Sequence, residues 1–327
     1  MPLPVVAIAF NPEDERVRRE FDDGLAGKAD VVFLPSLEDA ARMDAFTSAK
    51  AVVVRGFKSD LSWIDPKLIV DKLIQTMIAG VDQLPFDSLP PGAMVAHNGG
   101  AFAPQMAEHI VGMILAAKKD LLGRHQALAR GAWMQADGTR ELRGDTCLIV
   151  GFGGIGKVTA KLLRAFDVRI EAVNRSGRTD EPVDTIGTLA SLNGLLPRAD
   201  IIVLSLGLNA QSRDLIDREA LASMKRDATL VNVARGAVID EAALFAHLQA
   251  NPSFYACIDT WWGEPYPDRK FSAAYPFIDL PNVIGSPHNS ATTGTYFVNA
   301  ARHAVANVCR YLETGTAERL VTEADRP

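Results

Sequence analysis

Thr146-Cys147-Leu148-Ile149-Val150-Gly151-Phe152-Gly153-Gly154-Ile155-Gly156 joins a five-residue apolar run to a glycine-rich turn, and Val158, Leu162 and Phe166 follow at helical spacing. Strand, turn and helix in that order are the context in which G-x-G-x-x-G has a physical meaning. The glycines let the backbone turn tightly and approach a pyrophosphate, whose charge meets the free N–H groups and positive end of the helix. Methyltransferases also use such a loop, so the motif by itself leaves the nucleoside cofactor open.

Reading outward, further apolar runs lie at Arg169 to Val173, Ile201 to Leu206, Thr229 to Val233, Tyr255 to Asp259 and Val283 to Gly285. With Thr146 to Val150 they make six strands separated mostly by helical stretches, the pattern of a Rossmann sheet. Upstream, Val5 to Phe10, Val31 to Leu34, Ala51 to Arg55, Leu73 to Ile78 and Met94 to Asn98 read as strands, with helices at Glu13 to Leu25 and Leu37 to Phe46. Pro85, Pro90, Pro91 and Gly92 mark turns. From Ala103 to about Arg130 apolar residues at Ile110, Met113, Ile114, Ala117 and Leu121 predict one long helix. The stretch from Thr292 to Glu313 is again helical and is expected to pack back on the first domain. The fold class is therefore α/β with two doubly wound parallel-sheet domains: a Rossmann nucleotide-binding domain, residues 101–292, inserted in a flavodoxin-like substrate-binding domain, residues 1–100 and 293–327.

Composition bounds the functions this fold can serve. The chain has 327 residues, 48% hydrophobic and 23% charged, enough to bury two cores. A net charge of -6 offers no basic field for nucleic acid or an anionic membrane surface. Val5 to Phe10 is too short to span a bilayer and no Lys or Arg precedes it, so it reads as a buried strand rather than a signal peptide. Cys147, Cys257 and Cys309 stand apart in apolar stretches and read as reduced core residues, which points to a cytoplasmic protein. His97, His125, His247 and His303 lack ligand spacing, so no metal site is expected.

The candidate chemistry sits where strands end. Arg235 follows Asn232-Val233-Ala234, Glu264 precedes Pro265 a few residues after Asp259, and His288 follows Pro287. Open parallel sheets bind ligands at that carboxyl edge. A guanidinium matches a carboxylate, an imidazole can take or give a hydroxyl proton, and a neighbouring carboxylate favours the protonated imidazole. His109, beside Glu108 on the long helix, reads as packing rather than catalytic. Trp63 and Trp133 also read as packing residues, within the chain or at a subunit contact.

These residues resemble the D-isomer-specific 2-hydroxyacid dehydrogenase family, which includes glyoxylate/hydroxypyruvate reductases. The likeness runs through Ile78 to Asp82, Ala107-Glu108-His109, the glycine loop, Val231 to Asp240, Asp259 with Glu264-Pro265, and Ser286-Pro287-His288. It implies hydride transfer between NAD(P) and carbon 2 of a small D-2-hydroxy or 2-keto acid. It also implies a catalytic set of Arg235 on the substrate carboxylate, Glu264 tuning the histidine, and His288 as acid/base. Ala79 and Gly80 would bind substrate through backbone N–H groups, beside Arg235 and His288, with the active site between the domains. The cofactor would rest on Gly151, Phe152, Gly153, Gly154, Ile155 and Gly156, and on Val233, Ala234, Asp259 and Ser290 around its carboxamide. The family's dimers imply a homodimer. Where many relatives carry an Asp after the second Rossmann strand, this chain has Asn174, Arg175, Ser176 and Arg178. That set predicts NADP in preference to NAD. Leu206-Gly207-Leu208 and Trp261-Trp262 depart from the family, and the segment from Tyr266 to Asp279 is longer than in many members. The competing reading is an NAD(H)-sensing, non-catalytic corepressor or scaffold of the same fold; formate oxidation is disfavoured by Glu264, where formate enzymes have Gln.

Overall fold

A strand buried on both faces must be apolar at successive positions, and the short β-branched runs of this chain meet that condition in two separate sheets. The computed structural model describes residues 2–265 and 270–326. The chain divides into two units, Met1–Phe102 with Thr293–Pro327, and Ala103–Thr292.

In the first unit β1 (Val5–Ile8), β2 (Asp30–Phe33), β3 (Ala49–Val54), β4 (Leu73–Thr76) and β5 (Met94–Ala96) form one sheet in the order β2-β1-β3-β4-β5. All its pairings are parallel, the flavodoxin-like order. The helices α1 (Glu15–Gly24), α2 (Asp39–Ser48) and α3 (Phe57–Leu61) connect the strands. Asp14 caps α1, its side chain accepting from Arg16 N at 2.8 Å.

The second unit opens with α4 (Ala103–Lys118) and α5 (Leu121–Ala129). It then runs β6 (Thr146–Val150), α6 (Gly154–Arg164), β7 (Arg169–Val173), β8 (Thr185–Gly187), α7 (Leu192–Leu195) and β9 (Ile201–Leu204). After these come α8 (Arg218–Ser223), β10 (Thr229–Asn232), α9 (Glu241–Ala250), β11 (Tyr255–Ile258) and β12 (Val283–Gly285). The strand order is β12-β11-β10-β9-β6-β7-β8, parallel throughout. The Rossmann order is present with one more strand at the β12 edge, and chain direction reverses between β6 and β9. Alternation along the strands assigns the two cores. Leu148, Val150, Ile202, Leu204 and Leu230 join the cluster containing Trp261 and Phe277, whereas Cys147, Ile149, Val203 and Val231 join Ile110 and Met113 of α4 and Leu163 of α6. The last helix, α10 (Tyr296–Thr314), packs on α1 and β4 in the first unit, where Asn307 Nδ2 donates to Gln75 Oε1 at 2.7 Å. Among the described residues no helix is long and apolar enough to cross a membrane.

Two expectations need correction. The helix expected from Ala103 to about Arg130 is two helices, because Asp120 takes φ 49° between α4 and α5. No Gly or Pro announces the break; Asp is among the few residues that tolerate the left-handed region, and Asp120 Oδ1 accepts from the Tyr255 hydroxyl at 3.2 Å. The six-strand sheet has seven strands, since Thr185–Gly187 pairs beside β7 over three residues, too few to show a period. Trp63 meets Phe46 edge-on, whereas Trp133 is 77% exposed in the single chain. Of the long segment, Tyr266, Pro267, Asp268 and Arg269 lie outside the described residues, while Phe271 meets Trp261 edge-on and Phe277 is fully buried.

One polar tie joins the amino-terminal edge of the second sheet to the turn after α8. Asp200 accepts from Thr146 N at 2.9 Å and from Lys225 Nζ at 2.6 Å. Burial pushes its carboxyl up, but these bonds and the nearby lysine charges outweigh it and hold the group below the ordinary carboxylate range. A depressed native value stabilises the fold above the unfolded pKa, about 3.9, and that contribution is lost as pH falls through the native one. Asp200→Asn should therefore lower stability near pH 7 by about 1 kcal/mol. Urea unfolding should show the gap to wild type closing below about pH 4; a gap constant down to pH 3 would refute this account.

Candidate active site

The glycine loop lies at the point where the order of the second sheet reverses. Gly151 has φ 98°, and a Cβ there would come within 2.6 Å of the Ser205–Leu206 backbone, so the turn after β6 is pressed directly on the turn after β9. Ser205 Oγ donates to Gly151 O at 3.0 Å, and Val173 O receives the N–H groups of Gly151 and Phe152, both at 2.9 Å. Phe152 is buried and Ile155 packs on the same core, which fixes the entry to α6. No side chain caps α6, and a Cβ on Gly153 would meet open space. The first-turn N–H groups of α6, from Gly154, Ile155 and Gly156, are thus without a side-chain cap, the arrangement that suits a helix N-terminus to an anion.

At the end of β7 the structure divides the predicted ribose set. Asn174 is spent on its own turn: its Nδ2 donates to Arg178 O at 2.8 Å and its Oδ1 accepts from Gly177 N at 2.7 Å. Ser176 Oγ is likewise folded inward, 3.3 Å from Asn174 Oδ1 and Arg178 O. Arg175 and Arg178 are exposed. Glu171, the one carboxylate inside β7, is buried and bonded to Arg198, and so does not serve this turn.

The other predicted residues gather where β10, β11 and β12 end. Arg235 is extended, with Asn232 Nδ2 donating to its carbonyl at 3.0 Å and its own Nη1 donating to Ala234 O at 2.8 Å. The next residue must be glycine: a Cβ on Gly236 would lie 2.4 to 2.6 Å from the backbone of Trp261 and Trp262. That approach brings the Arg235 turn against the segment carrying Glu264. Trp261 then clamps the third turn, its Nε1 donating to Ser286 O at 2.9 Å while its backbone N donates to Glu264 Oε1 at 3.1 Å. Glu264 Oε2 lies 2.8 Å from His288 Nδ1. Partial burial alone would raise the Glu264 carboxyl. The His288 hydrogen bond and charge, the Trp261 N–H and the charge of Arg235 prevail and hold it below its usual range, so it is ionised at neutral pH. With Nδ1 engaged, Nε2 is the nitrogen His288 can present to a substrate.

Asp259 has no accessible surface; its Oδ1 accepts from Ser286 Oγ at 2.5 Å and Asn289 N at 3.1 Å, and its Oδ2 from Ser290 N at 3.2 Å. Val233 N and Ala234 N are also used internally, by Leu204 O and Asn232 Oδ1. Any carboxamide contact from Val233 or Ala234 therefore falls to a carbonyl oxygen. His109, read from sequence as packing, is 3.1 Å from Ser286 Oγ and 3.8 Å from Asp259 Oδ1. Nothing in its helical spacing marks that contact. Ala79 and Gly80 belong to the first unit, half-buried just beyond β4, where their N–H groups donate to no described residue.

With the fold and this geometry in hand, comparison with known proteins is informative. Residues 111–290 match the model of the D-isomer specific 2-hydroxyacid dehydrogenase, NAD binding domain. The chain belongs to the D-isomer specific 2-hydroxyacid dehydrogenase family. It is 34% identical over 207 residues to a hydroxypyruvate reductase of Thermotoga maritima, covering 62% of this chain and 64% of that protein. It is 31% identical over 263 residues to a D-3-phosphoglycerate dehydrogenase of Methanocaldococcus jannaschii, covering 78% of this chain but only 48% of that one. The match thus spans less than two thirds of either relative. Among solved structures, a glycerate dehydrogenase related protein of Thermoplasma acidophilum superposes with a TM-score of 0.66 at 27% identity, over 94% of this chain and 99% of that chain.

Two glycines separate packing from binding. Gly151→Ala should cost stability, because φ 98° and the Ser205–Leu206 backbone both oppose a side chain. Gly153→Ala should leave the melting temperature unchanged but weaken NAD(P)H binding at least tenfold, measured by cofactor fluorescence. Equal binding by wild type and Gly153→Ala would remove the pyrophosphate from this loop.

Proposed function

We propose that this protein is a nicotinamide-dependent oxidoreductase that exchanges a hydride with carbon 2 of a small D-2-hydroxy acid or 2-keto acid of the glyoxylate/hydroxypyruvate kind. The observation that carries the reading is the 2.8 Å contact of His288 Nδ1 with an ionised Glu264, within reach of the Arg235 charge. The sequence relationship to a protein named hydroxypyruvate reductase supports the substrate class.

When bound, the cofactor supplies or accepts the hydride at its nicotinamide ring. In the direction of reduction, His288 Nε2 gives a proton to the substrate carbonyl oxygen as carbon 2 becomes tetrahedral. Glu264 stabilises the imidazolium that must be present before transfer. Arg235 pairs with the substrate carboxylate, and its guanidinium fork orients the carbonyl. The second unit serves as the nucleotide domain and the first as the substrate domain, with the Ala79 and Gly80 N–H groups available to a carboxylate. Free, buried Cys147, Cys257 and Cys309 suit a reducing, cytoplasmic setting.

His288→Ala should reduce kcat about 10²- to 10⁴-fold on the best 2-keto acid, whereas Arg235→Ala should also raise KM strongly. Glu264→Gln keeps the shape but removes the carboxylate that meets His288 Nδ1, so kcat should fall about tenfold or more with little change in KM. Wild-type kcat/KM in His288→Ala, Arg235→Ala or Glu264→Gln would show that the role assigned to that residue is wrong.

We also infer a preference for NADPH over NADH. The exposed Arg175 and Arg178 stand at the turn where a 2′-phosphate would lie, and the turn's own amide and hydroxyl are committed elsewhere. A charge-assisted hydrogen bond contributes about 1.5–3 kcal/mol, less at an exposed edge, so roughly a tenfold preference is expected. Steady-state kcat/KM with each reduced cofactor tests it. Arg178→Ala should lose activity with NADPH selectively; a ratio at or below unity in wild type would defeat the inference.

A further inference from the structure

His288 occupies a backbone conformation that needs a cause: its φ is 49°, in the left-handed region that a non-glycine residue enters at a cost of about 1 kcal/mol or more. One buried residue supplies several of the interactions that hold it there. Asp259 O accepts from His288 N at 2.8 Å, and the Asp259 carboxylate takes the N–H groups of the next two residues, Asn289 and Ser290. The same carboxylate accepts from Ser286 Oγ, two residues before His288, at 2.5 Å. Asp259 thus grips the His288 turn from both sides.

We propose that Ser286 and His109 are positioning residues for His288, acting through Asp259 to hold the ring in the tautomer and orientation that Glu264 requires. This rests on the reading of His288 as the acid/base. The donor sequence follows from the chemistry. The Ser286 hydroxyl has one proton and gives it to the ionised Asp259, so the contact with His109 Nε2 at 3.1 Å must be a donation from His109 to Ser286 Oγ. His109 therefore carries a proton on Nε2, and that nitrogen lies 3.8 Å from Asp259 Oδ1. At the other end, Trp261 Nε1 donates to Ser286 O at 2.9 Å, so the serine is fixed by backbone as well as side chain. His109 is on α4 and Ser286 beyond β12, so the line runs from a helix on one face of the sheet to the acid/base at its edge. Loss of the serine hydroxyl leaves a buried carboxylate short of one donor and the left-handed turn without one of its ties.

The consequence is legible in the His288 ring itself. With Glu264 accepting at Nδ1, the neutral ring carries its proton on Nδ1, the opposite of the tautomer that prevails in free histidine. Long-range proton–nitrogen correlation spectra of the imidazoles report this directly, and with six histidines in the chain the His288 signals are identified by their loss in His288→Asn. Wild type should show the Nδ1–H pattern. Ser286→Ala and His109→Phe should show mixed tautomers, as should Glu264→Gln, together with a roughly tenfold fall in kcat/KM, and Ser286→Thr, which keeps the hydroxyl, should restore both. If Ser286→Ala is poorly folded, His109→Phe, which removes the donor from a partly exposed helix position, carries the test. An unchanged His288 tautomer in a folded Ser286→Ala or His109→Phe protein would overturn the proposal, as would a loss confined to NAD(P)H affinity. The spectra need no turnover, so absence of activity on every 2-keto acid would sink the proposed reaction without deciding this one.

Discussion

A carboxylate without accessible surface stays charged only where donors replace the water it has lost, and in this protein that group, Asp259, closes β11. Its donors are the residues of the neighbouring turn, so satisfying the charge and shaping the turn are one event. The loop after β12 cannot relax toward a commoner backbone without leaving Asp259 unpaired, at a cost larger than the strain of a single left-handed residue. Energetically, the position of His288 depends on a buried charge more than on contacts of its own ring.

Around that charge the site is assembled by close approach. The turns after β10 and β11 touch through Gly236 and the Trp261–Trp262 backbone, and those after β6 and β9 touch through Gly151. Trp261 is the only one of these residues whose side chain joins a third turn, through its indole N–H. Its ring also packs with Phe271 and Phe277, so apolar packing behind the site and hydrogen bonding at its edge share one residue. A parallel sheet delivers every strand's carboxyl end to the same edge; the glycines and Trp261 decide how near the loops come once there.

Much of this was legible in sequence, and the remainder hides for identifiable reasons. The apolar runs revealed both sheets because burial on both faces leaves no polar alternation to confuse the reading. Arg235, Glu264 and His288 could be placed at one edge from strand ends alone. Three features could not. Strand β8 is too short to carry a period, and it pairs at an edge where only partial burial is required. The break at Asp120 is paid for by a tertiary bond from Tyr255, far along the chain. His109 shows the same difficulty in the site: its helical position has packing periodicity, while its partner lies 177 residues away. Trp261 and Trp262 stood out as departures, but aromatic identity alone says nothing of a backbone pressed on Gly236.

The turn beyond β7 shows how a local structure can change the meaning of a residue without changing its position. In a site that recognises two ribose hydroxyls, a carboxylate accepts from both and repels a phosphate. Here Asn174 stands at that place with its amide and carbonyl both bound within the turn. Glu171 is held by Arg198 inside the sheet, and Asp180, the next acid along the chain, accepts from Lys157 of α6 at 2.6 Å. Glu171 and Asp180 are thus matched to cations of the fold, and Arg175 and Arg178 lie exposed on the same loop. On the proposed preference for the phosphorylated cofactor, the absence of a repelling carboxylate at this position would count as much as any single attractive contact.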